Sequence, residues 1–501
     1  MAGKVYLIGA GPGDAGLLTC KGREVLSRAE VVVYDALVGA EILAMVPREA
    51  ERIDAGKRAG NHRLHQWEIN QLLLDKALEG KMVVRLKGGD PFLFGRGGEE
   101  LELLAQHGVP YEIVPGVTSA IAVPAYAGIP VTHRDCCSSV HIITGHRRDG
   151  KAGHLPYRAL AETGGTLVFL MGVKALPEIC AGLLESGMDP GTPAAIVEKG
   201  TTAEQRTMTA TLAELPETAE REKAGAPAVI VVGGVCALQP GFFWRENLPL
   251  FGCRLVVTRP RERQGVLSGR LRTLGAEVME IPAIRTVPAE PNETLDRAMD
   301  GLAAFTWLVF TSPGAVGQFF DRLRNRKRDI RALKNCRLAA IGSGTAAALE
   351  QRGLFADLVP EVYDAAHLGE ALAARLRPGD RVLLPRAREG DPILPELLRQ
   401  VDGAEITEIP LYDTIYESSG IIDLAAEFVA HPRTMAVFTS ASTVRGCLAA
   451  GGPENITALC IGPQTAAQAK AAGMTVHVAR EATLDALIEL AEQIHEGAKQ
   501  P

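Results

Sequence analysis

Runs of apolar, often β-branched residues alternate with amphipathic stretches along the whole 501-residue chain. Residues 31–35 (VVVYD), 81–86 (KMVVRL), 140–144 (VHIIT) and 166–171 (TLVFLM) are typical of buried strands, whereas 64–80 (LHQWEINQLLLDKALEG) is typical of an amphipathic helix. Strands that alternate with helices are usually joined by crossover connections, which place neighbouring strands parallel. We therefore predict an α/β protein with mostly parallel sheets.

One segment interrupts this alternation. Residues 239–251 (QPGFFWRENLPLF) are rich in proline and aromatic residues, and a new apolar run, RLVVTRP, begins at residue 254. Proline interrupts helices and central strands, so this composition is typical of a linker. We predict a first domain at residues 1–238, a linker at 239–251 and a second domain at 252–501.

The second half contains an internal repeat. The segment WLVFTSPGAV (307–316) returns as MAVFTSASTV (435–444), and LAAIGSGTAAALEQRG (338–353) returns as LCIGPQTAAQAKAAG (459–473). Each copy is an apolar run, then a turn of small residues, then the start of a helix. Because the two pairs keep the same order, the repeat predicts two similar α/β lobes rather than one large sheet.

A glycine-rich turn follows the first apolar run, at residues 9–14 (GAGPGD). A dinucleotide-binding turn requires G-x-G-x-x-G and an acidic residue about 20 positions later. Two glycines and Asp35 fit this pattern, but Asp14 replaces the third glycine. Pro12 has no backbone N–H to donate a hydrogen bond to a pyrophosphate. These departures disfavour a nicotinamide site. A tight strand-to-helix turn without a ligand remains an alternative.

A second distinctive stretch is VVRLKGGDPFLFGRGGEE, residues 83–100. Its paired glycines, 88–89, would let the backbone come close to a ligand, and Asp90 could accept a hydrogen bond from a ribose hydroxyl or an amine. Further on, Thr118 and Ser119 begin a helix, where they could either bind a ligand or cap the helix.

Basic side chains are concentrated in the loop GKRAGNHRLH, residues 56–65, and Arg134 lies in a second short basic motif. Arginine binds carboxylates well because its donors form a fixed fork, but a solvated basic loop is the alternative. His62 and His65 lack a third ligand at helical spacing, so we expect no metal.

Residues 3 to about 236 resemble the uroporphyrinogen-III C-methyltransferases, which have the tetrapyrrole methylase fold. The resemblance rests on GAGPGDAGLLT, YDALV, GKRAGNH, VVRLKGGDPFLFGRGGEE, VPGVTSA, AYAGIPVTHR, FLMG and VEKGT, in the order of the family. It implies two α/β lobes that hold S-adenosylmethionine between them.

The same resemblance implies roles for individual residues. Asp35 and Lys57 match the proton acceptor and donor proposed for the family, and proton removal from the methylated ring does require a base. The matching cofactor contacts are Pro12, Gly88, Gly89, Asp90, Leu93, Thr118, Ser119, Met171 and Gly200. The basic residues expected to bind the eight carboxylates of the substrate are Arg58, His62, Arg63 and Arg134.

Residues 252–497 resemble the uroporphyrinogen-III synthases, through VTRP, GAEVMEIPAI, FTS, AIGSGTA, LLPRA, LYDT, FTSAS and IGPQTA. The resemblance implies two lobes, at about 252–286 with 414–497 and at 287–413, joined by two strands and holding hydroxymethylbilane in the cleft between them. Tyr412 would assist loss of hydroxide, or would only pack at the hinge. The hydroxyls that would bind substrate carboxylates, or cap helices, belong to Thr311, Ser312, Thr439, Ser440 and Thr465.

Together the resemblances imply a bifunctional enzyme of tetrapyrrole biosynthesis. The second half, a lyase, would cyclise hydroxymethylbilane to uroporphyrinogen III with inversion of ring D, and the first would methylate C2 and C7 to give precorrin-2. Two alternatives stay open: a second half that binds tetrapyrrole without catalysis, and a methylase that acts on a later corrin intermediate. Sirohaem and cobalamin are both possible destinations. Each half has enough length for its own core, so we expect both to work when separated near residue 248.

Composition limits the partners and the compartment. The net charge of −7 gives no overall nucleic-acid signature, and no apolar run approaches the length of about 18 residues that a membrane span needs. The nine cysteines form no C-x-x-C motif, which favours a reducing compartment. We expect a cytoplasmic enzyme with small-molecule tetrapyrrole substrates, no nucleic-acid or membrane partner, and, by analogy with the family, a homodimer formed through the methyltransferase half.

Overall fold

The part of the chain that the computed structural model describes forms four five-stranded sheets, two in each half. The residues that it describes are 2–56, 64–145, 155–258, 265–281, 283–290, 292–417 and 422–499. The predicted α/β class is confirmed. Within the described residues, no helix is both long and apolar enough to cross a membrane.

The first sheet is entirely parallel, with the order β3-β2-β4-β1-β5. Its strands are β1 (Val5–Gly9), β2 (Val31–Tyr34), β3 (Glu51–Asp54), β4 (Val83–Lys87) and β5 (Tyr111–Val114). The helices that accompany them are α1 (Cys20–Leu26), α2 (Ala40–Leu43), α3 (Gln66–Leu78) and α4 (Gly97–Gln106), while α5 (Ser119–Tyr126) follows β5 and packs against the second sheet. Strands β1, β2 and β4 are almost completely buried because helices cover both faces of the sheet.

The second sheet is mixed, with the order β6-β7-β10-β8-β9. Its strands are β6 (Val140–Thr144), β7 (Thr166–Leu170), β8 (Pro193–Glu198), β9 (Arg206–Thr211) and β10 (Ala228–Val232). Its helices are α6 (Tyr157–Glu162), α7 (Leu176–Glu185) and α8 (Leu215–Arg221). Only β6 and β7 pair in parallel, because β8 returns directly as β9 and β10 inserts antiparallel between β7 and β8.

The third sheet, with the order β12-β11-β18-β19-β20, combines strands from the beginning and the end of the second half. Its strands are β11 (Arg254–Val257), β12 (Glu277–Glu280), β18 (Met435–Phe438), β19 (Thr457–Cys460) and β20 (Thr475–Val478). Its helices are α9 (Gly265–Thr273), α15 (Leu424–Ala430), α16 (Ala441–Ala449), α17 (Pro463–Ala471) and α18 (Leu484–Lys499). All of its strand pairs are parallel.

The fourth sheet has the order β13-β17-β16-β14-β15. Its strands are β13 (Ile284–Pro288), β14 (Trp307–Phe310), β15 (Arg337–Ala340), β16 (Arg381–Ala387) and β17 (Glu405–Tyr416). Its helices are α10 (Glu293–Asp300), α11 (Pro313–Asn325), α12 (Ser343–Glu350), α13 (Ala365–Ala373) and α14 (Ile393–Arg399). The antiparallel pair of β13 with the end of β17 joins this lobe to the other, with Ile284 opposite Tyr416 and Pro288 opposite Tyr412.

The internal repeat corresponds to two structurally equivalent units. In one lobe, β14 leads into α11 and the neighbouring β15 into α12. In the other, β18 leads into α16 and the neighbouring β19 into α17. The carboxyl ends of parallel strands lie at the same edge of a sheet, so each lobe presents two helix N-termini side by side.

The segment between the two halves is packed. The Trp244 indole N–H donates to the Ala125 carbonyl at 2.9 Å, and its ring meets the edge of Tyr126 with centroids 5.5 Å apart. Leu250, by contrast, is buried in the core of the second half. The chain therefore passes from one core to the other within a few residues.

Candidate active sites

Three glycine turns meet at the carboxyl edge of the first sheet, after β1, β4 and β5. A Cβ on Gly9 would lie 2.4 Å from the Cα of Gly116, and one on Gly116 would lie 2.2 Å from the Gly89 carbonyl oxygen. Gly11 and Gly89 also exchange backbone hydrogen bonds of 3.2 and 2.7 Å, with φ of +76° and +67°. At Gly9 and Gly116 any side chain would separate the turns, and at Gly11 and Gly89 the positive φ favours glycine.

Gly89 also borders open space, because a Cβ built there would have as its nearest neighbour the Ser119 nitrogen, 4.0 Å away. The backbone at this edge is therefore accessible to a ligand. Thr118 lies beside it as the N-cap of α5, where its hydroxyl accepts from the Ala120 N–H at 3.3 Å. Thr118 therefore caps the helix, as one interpretation predicted. Its hydroxyl can still donate a hydrogen bond to a ligand, because it only accepts in this contact.

Asp90 organises these turns. One carboxylate oxygen accepts from the backbone N–H groups of Phe92 and Leu93 at 2.8 and 3.1 Å, and the other accepts from Gly116 at 3.0 Å. The side chain therefore ties the turn after β4 to the turn after β5. The sequence predicted a ligand contact here and did not anticipate this bridging role.

The second lobe approaches the same turns from the other side. The Asp14 N–H donates to the Thr201 hydroxyl at 3.2 Å, and a Cβ on Gly200 would lie 2.3 Å from Val123 on α5. Met171 follows β7, is 52% exposed and has a φ of +56°, a backbone conformation that side chains rarely adopt. The segment after β8, which carries Gly200, is therefore packed against the first lobe.

Asp35, at the end of β2, belongs to a partly buried network of four charges. Arg85 Nη2 donates to Asp35 Oδ1 at 2.5 Å, and Lys87 Nζ lies 3.9 Å from Asp35 Oδ2. Behind these two cations, Glu100 Oε1 accepts from Arg85 Nε at 3.1 Å, from Lys87 at 2.7 Å and from the Gln66 amide at 3.2 Å. Asp35 itself is the more open carboxylate, with 29% of its side chain exposed.

The sequence did not identify Arg85, Lys87 and Glu100 as site residues. Arg85 and Lys87 are 2% and 4% exposed and occupy alternate positions of a fully buried strand. The sequence did contain a signal, namely two cations two positions apart in an apolar strand. Side chains at that spacing point to the same face of a strand, so the pattern indicates a charged site on that face. Burial lowers the pKa of Lys87, and the charge of Arg85 lowers it further, while Glu100 and Asp35 oppose these effects.

Four of the predicted residues, Lys57, Arg58, His62 and Arg63, lie outside the described residues. Arg134, on the second basic motif, is exposed. Within the described parts of the chain, no group of three or more His, Cys, Asp or Glu side chains is placed to hold a metal ion.

In the second half, Tyr412 and Ser312 lie together. Their hydroxyl oxygens are 3.2 Å apart, and Tyr412 is 8% exposed. Ser312 is also the N-cap of α11 and accepts from the Ala315 N–H at 3.1 Å. Tyr412 thus stands between the strand pair that joins the lobes and the first repeat helix, with Thr311 immediately before the cap.

The equivalent cap in the other lobe is Ser440, which follows Thr439 and opens α16 in a capping box with Thr443. Thr465, in the first turn of α17, is buried. The lobes touch where the Gln464 amide, on α17, donates to Asp391 in the turn before α14 at 2.5 Å. Nearby, Arg445 on α16 donates to the Tyr416 hydroxyl at 2.7 Å, at the end of the strand pair that joins the lobes.

The first lobe of the second half contacts both lobes of the first half. Arg48 Nη1 lies 2.8 Å from Glu417 Oε1, at the end of the strand pair that joins the lobes. On the other side, the Ala203 N–H donates to Glu277 of β12 at 2.8 Å. Since Arg48 and Ala203 belong to different lobes of the first half, β12 and its neighbours bridge them.

Glu41 on α2 lies inside this interface. Its neighbours Ala40 and Ala44 pack against the core of the second half, and the residue is 7% exposed. Its Oε1 has no hydrogen-bond partner, and Arg272 is 3.7 Å from Oε2, too far for a hydrogen bond. Burial raises the pKa of Glu41 to about 8, with Arg272 opposing the rise.

Comparison with known protein families matches both halves. The family described as tetrapyrrole (corrin/porphyrin) methylases matches residues 4–216, and the family described as uroporphyrinogen-III synthase HemD matches residues 265–489. A porphyrin biosynthesis protein HemD from Ruminiclostridium josui is 45% identical over 490 residues, which cover 97% of each chain. The chain belongs to this family of fused methylases and synthases.

Other relatives match a smaller share of the chain. A uroporphyrinogen-III C-methyltransferase from Bacillus subtilis is 43% identical over 70% of this chain and 72% of its own length. An S-adenosyl-L-methionine-dependent uroporphyrinogen III methyltransferase from Methanosarcina barkeri is 55% identical over 47% of this chain and 93% of its own. A crystal structure of uroporphyrin-III C-methyl transferase from Thermus thermophilus, complexed with S-adenyl homocysteine, is 42% identical over 46% of this chain and 93% of that one, with a TM-score of 0.41.

The expected two-enzyme architecture is confirmed by these matches. A uroporphyrinogen-III C-methyltransferase domain precedes a uroporphyrinogen-III synthase domain, so the chain is a multifunctional enzyme of tetrapyrrole biosynthesis.

Proposed function

We propose that the synthase half cyclises hydroxymethylbilane to uroporphyrinogen III with inversion of ring D. The methyltransferase half then methylates that product at C2 and C7 to give precorrin-2. The observation that carries the proposal is the succession of the two domains in one chain, matched along 97% of its length by a relative with the same order. The product of one reaction is the substrate of the other.

S-adenosylmethionine is the methyl donor in this proposal, as the name of the Methanosarcina relative states for that protein. The glycine turns leave room for this donor, because the space beside the Gly89 backbone is open and a side chain at that position would fill it. The donor supplies an electrophilic methyl group, so the protein contributes mainly by holding the two reactants in line. The residues that would bind it are Pro12, Gly88, Gly89, Asp90, Leu93, Thr118, Ser119, Met171 and Gly200.

Asp35 would accept the proton that leaves the ring after its carbon is methylated. The geometry supports this role, because the carboxylate is held by Arg85 on one oxygen and remains partly exposed. A base must reach the proton that it removes, and a fixed, open carboxylate meets that condition. Lys57 would be the proton donor, and Arg58, His62, Arg63 and Arg134 would bind the substrate carboxylates.

In the synthase half, Tyr412 would donate a hydrogen bond to the departing hydroxide. Its hydroxyl is 3.2 Å from that of Ser312, so a bound substrate could exchange with that contact. The helix N-termini after β14, β18 and β19 offer backbone N–H groups and hydroxyls to acetate and propionate side chains. The hydroxyl-bearing residues concerned are Thr311, Ser312, Thr439, Ser440 and Thr465.

The domain limits follow the sheets in this proposal: 1–238 and 252–501, the latter divided into 252–286 with 414–497 and 287–413. We further propose that the enzyme is cytoplasmic, needs no metal, and forms a homodimer through its methyltransferase half. A monomeric mass at micromolar concentration, measured by light scattering, would contradict the dimer.

The function is tested by incubating the full chain with hydroxymethylbilane and methyl-labelled S-adenosylmethionine. The proposal expects a type III product that carries two labelled methyl groups, identified by mass and NMR. The type I isomer would refute synthase activity and indicate a half that only binds tetrapyrrole. Type III product without label would refute the methyltransferase assignment.

A further inference from the structure

We propose that Glu100 is a positioning residue for Asp35, acting through Arg85 and Lys87. The proposal rests on the role proposed above for Asp35 as proton acceptor. Glu100 is fully buried on α4 and cannot reach the substrate, so any effect on catalysis must pass through the two cations that it binds.

The network is balanced, with two cations and two carboxylates. Within the described residues, the charged groups that contact Asp35 are Arg85 and Lys87 on β4, and behind them stands Glu100, with the neutral amide of Gln66 from α3. In a buried site, two adjacent cations repel each other strongly unless a carboxylate separates them. Glu100 Oε1 supplies that negative charge to both.

The distances show how Glu100 distributes the cations. Lys87 is 2.7 Å from Glu100 but 3.9 Å from Asp35, so Asp35 receives one direct hydrogen bond, from Arg85. An opposite charge at about 4–6 Å lowers a carboxyl pKa by about 1–3, and a closer one lowers it more. By retaining Lys87, Glu100 keeps that cation from pairing directly with Asp35 and leaves the second carboxylate oxygen available to a proton.

A second observation argues against a purely structural role. Glu100 Oε2 is buried and has no hydrogen-bond partner. Such an oxygen costs folding free energy, and an apolar residue in its place would avoid that cost. A charge that is buried at a cost and connected to the proposed base is better explained by catalysis than by stability.

The test is Glu100→Gln in the full chain, assayed for methyl transfer to supplied uroporphyrinogen III. We expect kcat to fall roughly tenfold, which is less than the about 100- to 10,000-fold that a positioned base itself contributes, because Asp35 is still present. The acid limb of the pH–kcat profile should move to lower pH by about one unit, because Lys87 turns to Asp35. The KM for S-adenosylmethionine should stay within about twofold, as for loss of an interaction that operates only in the transition state.

Two variants complete the test. Glu102→Gln removes an exposed carboxylate from the same helix and should leave the profile unchanged, whereas Glu100→Asp keeps the charge and should restore the wild-type acid limb. A Glu100→Gln enzyme with an unmoved acid limb overturns the proposal, whatever its kcat. If Glu100→Gln does not fold, the test uses Glu100→Asp, whose acid limb should match that of the wild type. A shift of that limb to lower pH by about one unit, the shift expected for Glu100→Gln, would overturn the proposal. Failure of the proposed function is distinguishable, since the wild-type chain would then transfer no methyl group.

Discussion

Replacing Glu41 by glutamine should stabilise the contact between the two halves at neutral and alkaline pH. Glu41, on α2, is buried where that helix packs against β12, and its pKa is raised to about 8 because burial disfavours the charged form. In the unfolded chain the same side chain is ionised above pH 4.5. Glutamine has nearly the same shape and never ionises, so it removes the cost of taking up a proton or burying a charge.

The magnitude follows from the linkage between protonation and folding. Between the unfolded and folded pKa values the native state holds a proton that the unfolded state has released, so stability falls as pH rises. One pKa unit corresponds to about 1.4 kcal/mol, so a rise from 4.5 to about 8 costs about 3 kcal/mol at pH 7. The cost approaches about 5 kcal/mol above pH 8 and vanishes below pH 4.5.

Thermal melting of the full chain from pH 5 to pH 8.5 measures the effect. The first unfolding transition of Glu41→Gln should lie several degrees above that of the wild type at pH 7.5, and the two should converge near pH 5. Glu185→Gln, which removes an exposed carboxylate from α7, is the control and should show no pH-dependent difference. A Glu41→Gln chain that melts lower than the wild type at pH 7.5 would mean that Glu41 is ionised and paired with Arg272, and would refute the reasoning.

Three further outcomes are expected. Asp35→Asn should still bind S-adenosylmethionine in equilibrium dialysis but lose about 100-fold or more in methyl transfer, and near-normal turnover would remove Asp35 from the mechanism. Tyr412→Phe should slow formation of type III product by roughly tenfold or less, the value of one hydrogen bond, without affecting methylation of supplied uroporphyrinogen III; an unchanged synthase rate would leave Tyr412 only its packing role. A chain cut after residue 248 should give two halves that copurify at pH 6 and associate about 50-fold more weakly at pH 8, because docking takes up a proton at Glu41; equal affinity at both pH values in isothermal titration would contradict this.

The elements that the sequence predicted well are those with strong local patterns. The apolar run at 31–35 became β2, that at 166–171 became β7, and the amphipathic run at 64–80 became α3. The repeat predicted two equivalent lobes because strand, turn and helix start are all encoded within a few residues. The mixed order of the second sheet was not visible, since β10 pairs antiparallel with strands far away in sequence.

The electrostatic parts of the site were predicted less completely for a related reason. Asp35 and Asp90 stood out through motifs, but Arg85 lies 50 positions from Asp35 and 15 from Glu100, and only the fold brings the three together. Glu41 likewise resembles any acidic residue on a short helix until the second half covers it. Burial by a distant element changes the chemistry of a side chain without leaving a local signal.

Helix α2 connects the synthase half with the proposed methyltransferase site. This helix follows the turn that begins at Asp35, and it packs against the synthase half. Leu37, in that turn, lies against Gly88, since a Cβ on that glycine would be 2.7 Å from the Leu37 Cβ. A displacement of α2 would therefore move the turn that connects Asp35, the proposed base, with Gly88 at the proposed cofactor site. The synthase half contacts the methyltransferase half at three places. Its core packs against α2, Glu417 pairs with Arg48, and Glu277 accepts from the Ala203 N–H on the other methyltransferase lobe. The separated methyltransferase piece would lose these three contacts together, while each half keeps its own core.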